Sequence, residues 1–232
     1  MKSKIGTIGV IFIALLLAII ILVGLFYGVP YIQKYNQELR DTFSFISIDG
    51  GIKILGYKGN LLYNNSGDLV IPKRINGQKV IEIGENAFAG NGYIKSVKIP
   101  STVKTIGDQA FYNCSVLSEV EFGKNVEDIG ECAFYGCVRL KEIELPKKMR
   151  TIESGTFSFS GLEKITIPEN IKLIEQNVFA YCYSLTWVEF ENDSDWQVVY
   201  NNRSVNVMVT NEVLNANSLV STNCNYMWIY VG

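Results

Sequence analysis

The chain has 232 residues, 48% of them hydrophobic, with 21 basic against 23 acidic side chains and no histidine. The lack of histidine removes Ser-His-Asp and Cys-His catalysis, His-ligated zinc and haem, and imidazole pH switching together. Beyond residue 40 the balance is 17 basic to 22 acidic, which argues against a nucleic-acid protein, whose phosphate contacts need a clustered excess of Lys and Arg.

From Ile5 to Gln33 there is no charged residue, and Ile8 to Tyr27 is almost wholly apolar. About 20 apolar residues at 1.5 Å rise are enough to cross a hydrocarbon core of roughly 30 Å. The expectation is an uncleaved transmembrane signal-anchor, residues 1–30 with its cytoplasmic stub. The rival is a cleaved signal peptide, but the run is long for one and no Ala-x-Ala follows it. Lys2 and Lys4 on the short side bias the N-terminus to the cytoplasm, so the rest would lie outside a plasma membrane. Gly24 and Gly28 form one Gly-x-x-x-Gly pair, which also occurs simply because membrane helices contain glycine. Residues 31–48 are expected to be a juxtamembrane linker, and Tyr31 to Arg40 could extend the helix past Pro30. Residues 49–68, where Ile52 to Tyr63 alternates around Gly56 and Gly59, are expected to form an N-terminal capping strand or hairpin.

Residues 69–191 repeat. Ile94-x-x-Val97-x-Ile99 recurs from Leu117, Leu140, Leu162 and Leu185, at spacings of 23, 23, 22 and 23. Two further apolar registers travel with it: Phe88, Phe111, Phe134, Phe157 and Phe179, and Ile83, Ile106, Ile129, Ile152 and Ile174. L-x-x-L-x-L at this period is a leucine-rich repeat signature. One copy cannot bury its apolar side chains alone, whereas stacked copies align strands into a parallel sheet and the phenylalanines into a structural ladder. Pro100, Pro146 and Pro168 end the strands. In the first copy an excess around Ile75–Lys79 contains Asn76-Gly77, a tight-turn signal, and predicts a small hairpin. After Glu191 the period is lost. Trp196 to Tyr200, Val205 to Val209 and Trp228 to Tyr230 alternate, and residues 192–232 are expected to cap the array.

Ile99-Pro100-x-x-Val103-x-x-Ile106-Gly107-x-x-Ala110-Phe111-x-x-Cys114 resembles the BspA-type leucine-rich repeat of bacterial and protist surface proteins, over roughly residues 69–191. The resemblance implies a curved solenoid on a cell surface, often adhesive or antigenic. Gly123 for proline, Thr156 for alanine and Ser160 for cysteine depart from the pattern at places a repeat array tolerates. The expected fold is therefore a leucine-rich-repeat solenoid, a parallel β-sheet with short helical or irregular returns, capped at both ends and joined to one N-terminal transmembrane helix.

Cys114, Cys137 and Cys182 share one repeat position with Ser160, which suits a small inward-facing residue. Cys132 and Cys224 lie outside that column, and pairing with each other or remaining free are both open. No C-x-x-C, phosphate-binding, nucleophile-elbow or dinucleotide motif is present. Spacing alone leaves only a glycosidase-type carboxylate dyad open. The expectation is a non-catalytic protein without metal or cofactor. In L-x-x-L-x-L the residues flanking the second apolar position point away from the core. They form two columns: Ser96, Glu119, Glu142, Lys164 and Trp187, and Lys98, Glu121, Glu144, Thr166 and Glu189. Glu119, Glu121, Glu142, Glu144, Lys164, Trp187 and Glu189 are the candidate partner-binding residues, an acidic surface for a basic protein, polyamine or divalent cation. The bland alternative is a solvated strand face. Two functions follow: a protein-binding or adhesion module facing a protein or cell-surface ligand, or a structural subunit of a membrane or cell-envelope assembly.

Overall fold

In a computed structural model of the chain, the described residues are 28–58 and 67–191, together with strands at 195–200, 203–208 and 227–230. The chain divides into two compact units, residues 1–42 and 43–232. In the first, helix α1 (Val29–Thr42) carries Pro30 in its opening turn, where a missing N–H costs nothing. Tyr31, Ile32 and Tyr35 are exposed on this helix beside polar residues, and Gln37 Nε2 donates to Asp41 Oδ1 at 3.1 Å. Among the described residues no helix is long and apolar enough to cross a membrane. The predicted span at 8–27 lies outside them.

The second unit begins with an antiparallel hairpin, β1 (Phe43–Ile48) and β2 (Gly51–Tyr57), closed at Gly50 with φ +84°. β1 thus occupies residues assigned from the sequence to a linker. Phe43-Ser44-Phe45-Ile46-Ser47-Ile48 has a period near two, and its end stacks Phe43 edge-on against Tyr57 at 5.6 Å. In the first copy β4 (Arg74–Ile75) and β5 (Gln78–Ile83) form the predicted hairpin. Asn76 and Gly77 both have positive φ, as a two-residue primed turn requires.

Two parallel sheets run along the array. One stacks β3 (Asp68–Val70), β6 (Ser96–Lys98) and β8 (Glu119–Glu121), and farther on β11 (Lys164–Ile167) and β13 (Trp187–Phe190). The other stacks β2, β5, β7 (Thr105–Ile106) and β9 (Asp128–Ile129), and then β10 (Thr151–Ile152) and β12 (Leu173–Ile174). β16 (Met227–Tyr230), β14 (Asp195–Tyr200) and β15 (Arg203–Met208) add antiparallel strands to β12, pairing Leu173 with Ile229. Of the helical or irregular returns expected, the described ones are irregular. They are turns around a second short strand, two residues long from the second copy onward, as in Thr105–Ile106 and Asp128–Ile129.

Between the sheets lies the core. Phe88, Phe111, Phe134, Phe157 and Phe179 are buried and stack with centroids 5.1, 5.3, 6.0 and 6.0 Å apart. The turn that delivers each phenylalanine uses two left-handed residues four apart: Asn86 and Gly90, Gln109 and Asn113, Cys132 and Gly136, Gly155 and Phe159, Asn177 and Tyr181. Asparagine and glycine adopt this conformation cheaply, while bulky side chains pay for it. Gly84, Gly107 and Gly130 are not left-handed. A Cβ on Gly107 would lie 2.7 Å from the Glu85 amide, so this glycine serves close stacking.

The cysteine column does more than fill space. Cys114, Cys137 and Cys182 are buried, and each thiol donates to the carbonyl of the phenylalanine one rung earlier: Phe88 at 3.2 Å, Phe111 at 3.3 Å and Phe157 at 2.9 Å. Ser160 fills the same place, with its buried hydroxyl 3.3 Å from the Cys182 thiol. Burial pushes the Cys114 thiol up to about 12 and raises Cys137 and Cys182 as well. The folded state therefore holds these protons more tightly than the unfolded chain. Stability should be level below pH about 9, the unperturbed thiol value, and fall as pH rises above it. Iodoacetamide at pH 8 should leave these three thiols unlabelled in the folded chain and label all three in urea, as read by peptide mass mapping. Rapid native labelling of Cys137 would contradict this packing. Cys132 is half-buried at a left-handed position, with its thiol raised by partial burial and by Glu131 and Asp108. Its pairing with Cys224 lies outside the described residues.

Candidate functional site

The predicted outward columns are on one face. Lys164 pairs in register with Trp187, and Thr166 with Glu189. Ser96 pairs with Glu119, and Lys98 with Glu121. Glu119, Glu121, Glu142, Glu144, Lys164 and Glu189 are exposed, and Trp187 retains 49% of its surface.

The continuous sheet expected from the repeat is interrupted between these columns. Among the described residues, no backbone hydrogen bond joins 118–122 to 140–145, and Glu142 to Leu145 belongs to no strand. The second sheet breaks at the same boundary, between β9 and β10. Leu140, Ile143 and Leu145 are nevertheless buried, so the apolar pattern is satisfied while the ladder is lost. The same segment is unpaired on its other side too, where, among the described residues, only Glu163 N to Lys141 O reaches it from the next strand. Repeat register sets Glu119 against Glu142 and Glu121 against Glu144, and like charges directly opposed disfavour pairing. Other outward neighbours are oppositely charged, whether or not their backbones pair. Lys98 meets Glu121 at 2.6 Å, Lys164 meets Glu142 at 2.7 Å and Lys141 meets Glu163 at 2.6 Å. A second clamp also changes here. Asn125 and Asn170 each donate to a carbonyl of the preceding rung, Ser101 and Met149. Lys148 holds that place at the break and reaches Glu127 at 3.3 Å instead. What remains across the boundary is the turn column: Cys132 N to Ser154 O, Phe134 N to Thr156 O, Gly136 N to Ser158 O and Gly161 N to Cys137 O.

A groove of about 750 Å³ opens on the strand face at this break. It brings together Glu119, Glu142, Glu144, Lys164, Trp187 and Glu189 of the predicted set. Glu121 is not part of it and turns to Lys98. Sequence reasoning missed Lys147 and Glu191, which also line it. Glu191 stands one place after the strand end, where other copies have proline, and its N–H donates to the Ile167 carbonyl at 2.9 Å. That loss of proline was the available signal. Five carboxylates face two ammonium groups in the groove. The Glu142 carboxylate holds the Lys164 ammonium above the usual lysine range. No group of three or more ligand-type side chains able to hold a metal occurs among the described residues.

A smaller groove of about 510 Å³ marks the same break on the second sheet, lined by Glu127, Lys148, Arg150 and Glu153 among others. Partial burial, then Glu175 and Glu131, raise the Glu153 carboxyl above its usual range. A further aromatic stack lies on the turn edge and was also missed. Tyr112 and Tyr135 stack at 4.7 Å, Tyr135 and Phe159 approach at 5.1 Å, and Phe159 and Tyr181 stack at 4.3 Å.

The family model described as "BspA type Leucine rich repeat region" matches residues 78–202 in six copies. A leucine-rich repeat protein from Bacteroides ovatus ATCC 8483 has a similar solved structure, with TM-score 0.58 and 34% identity over 64% of this chain. The alignment covers 40% of that protein, so this chain spans well under half its length. The T. pallidum leucine rich repeat protein matches with TM-score 0.56 and 24% identity, covering 65% of this chain and 81% of that one. A leucine-rich repeat protein from Eubacterium ventriosum ATCC 27560 matches with TM-score 0.52 and 21% identity, covering 71% and 46%. These two share the fold. Among curated proteins none matches.

Proposed function

The chain belongs to the BspA-type leucine-rich repeat family, and from that premise we propose that it is a membrane-tethered, outward-facing protein-binding module that works without catalysis. The observation that carries this reading is the strand-face groove, where an exposed Trp187 stands beside surplus carboxylates. Tryptophan is the type of residue found at binding hot spots, and a net negative rim speeds capture of cationic partners at low salt. The apolar run Ile8 to Tyr27 supports the tether, and Lys2 and Lys4 support the outward orientation. An adhesive role at the cell surface fits the same arrangement.

A membrane-impermeant cross-linker applied to intact cells tests both parts. The parent chain should be captured with a protein partner, and Trp187→Ala should reduce that capture at all salt concentrations. Glu119→Lys combined with Glu142→Lys should reduce it chiefly at low ionic strength. Variants that reach the surface and capture the partner as the parent does would move the contact elsewhere. A chain that reacts only after lysis would sink the outward orientation.

A further inference from the structure

Resting on that reading of the groove, we infer that its occupant is an extended peptide segment carrying two basic residues four positions apart. The groove has two poles rather than one acidic centre. At one, Glu119 and Glu144 face the broken boundary, and neither has an ion-pair partner among the described residues. At the other, Trp187 is half exposed beside Glu189, whose Oε2 accepts from Thr166 at 3.4 Å. Between the poles the Glu142–Lys164 pair, closed at 2.7 Å, is already neutral.

The separation follows from the repeat. Glu144 and Glu189 share a column two rungs apart, and Glu119 and Trp187 share the other, three rungs apart. At about 4.8 Å per paired rung, and more where the ladder is lost, the poles lie ~10–16 Å from each other. An extended chain advances roughly 3.3 Å per residue, and residues i and i+4 point to the same side. Two cations on such a chain therefore lie about 13 Å apart and reach both poles at once. At the Trp187 pole an arginine fits better than a lysine. Its planar guanidinium can stack on the indole face and present paired donors to the Glu189 carboxylate. A divalent cation fits poorly, because it needs oxygens converging within about 2.3–2.6 Å of one point, and here the Lys164 ammonium lies between the poles. Val120 and Ile143 in the groove lining give the intervening residues an apolar floor.

The test is binding of the purified full chain to two labelled peptides of one composition. In one, Gly-Arg-Thr-Val-Thr-Arg-Gly, the arginines are four apart; in the other, Gly-Arg-Arg-Thr-Val-Thr-Gly, they are adjacent. The spaced peptide should bind about tenfold tighter or more, the factor expected when a second charge-assisted contact is lost. Trp187→Ala and Glu144→Gln should each weaken it about tenfold without changing the circular dichroism spectrum, and Trp187→Phe should keep most of the affinity. Equal binding of both peptides would overturn the inference, as would spermine or calcium chloride competing as well as the spaced peptide, or no binding by the parent chain. If the peptides fail while the groove variants still lose their partner on cells, this inference falls and the protein-binding reading stands. If the variants keep that partner, the reading of the groove itself falls.

Discussion

Phe134→Ala should lower the stability of the repeat array by about 3–5 kcal/mol, the usual cost of truncating a large core aromatic. The ring is fully buried, with Phe111 stacked at 5.3 Å on one side and Phe157 at 6.0 Å on the other. Phe122 adds an edge contact at 6.0 Å. Its position makes the loss more than a local cavity. Phe134 stands on the boundary where both sheets are interrupted, and its own N–H to the Thr156 carbonyl is one of the bonds still crossing there. Repeat arrays are stable through coupling between neighbours, so weakening the least-bonded boundary should also reduce cooperativity. Urea unfolding followed by far-UV circular dichroism reads both effects, as a lower midpoint and a smaller slope. A midpoint that scarcely moves would refute the stacking.

The second large effect concerns a residue that departs from the repeat. Gly123 stands where Pro100, Pro146 and Pro168 stand in other copies. Restoring the repeat with Gly123→Pro, or adding one methyl with Gly123→Ala, should destabilise rather than stabilise. A Cβ there would overlap the Pro100 carbonyl and lie 2.7 Å from the Ser101 amide, both backbone and unable to move aside cheaply. Overpacking of this kind costs about 1–3 kcal/mol. Gly92→Ala is the matched control, because a Cβ there meets nothing within 4 Å. It should be neutral or slightly stabilising. Thermal unfolding of the three variants decides the matter, and a Gly123→Pro chain as stable as the parent would show that the third rung can shift.

Much of the fold is legible because each apolar register reports burial directly. Leu140, Ile143 and Leu145 keep the pattern and are buried, and the Asn76-Gly77 turn appears where its dihedral demand places it. Pairing is a different property. It depends on backbone approach as well as on what faces outward, so the same intact apolar pattern hides the missing ladders on both sides of 142–145. The outward columns could be read from alternation, but not the fact that Glu121 leaves the group for Lys98 while Lys147 and Glu191 join it, because those choices rest on side-chain reach. The turn-edge aromatics escaped for a third reason. Tyr112 and Tyr135 precede the left-handed residues Asn113 and Gly136, whereas Phe159 and Tyr181 occupy that left-handed place themselves. The ring column shifts by one residue between rungs and shows no single register. β1 was lost to the linker because its alternation directly follows a helix end.

The doubly interrupted boundary also governs how the array would carry load. Under tension along the stack, rungs pass force to one another through their strand ladders, the turn column and the stacked phenylalanines. Between residues 117–137 and 140–160 the ladders contribute nothing among the described residues. The force then runs through four backbone bonds on one edge, the ring stack and the Lys148–Glu127 pair. A column supported on one edge bends before it extends. The boundary is therefore the compliant joint of the solenoid, able to gape on the strand faces while the turn edge holds and the rungs on either side keep their shape.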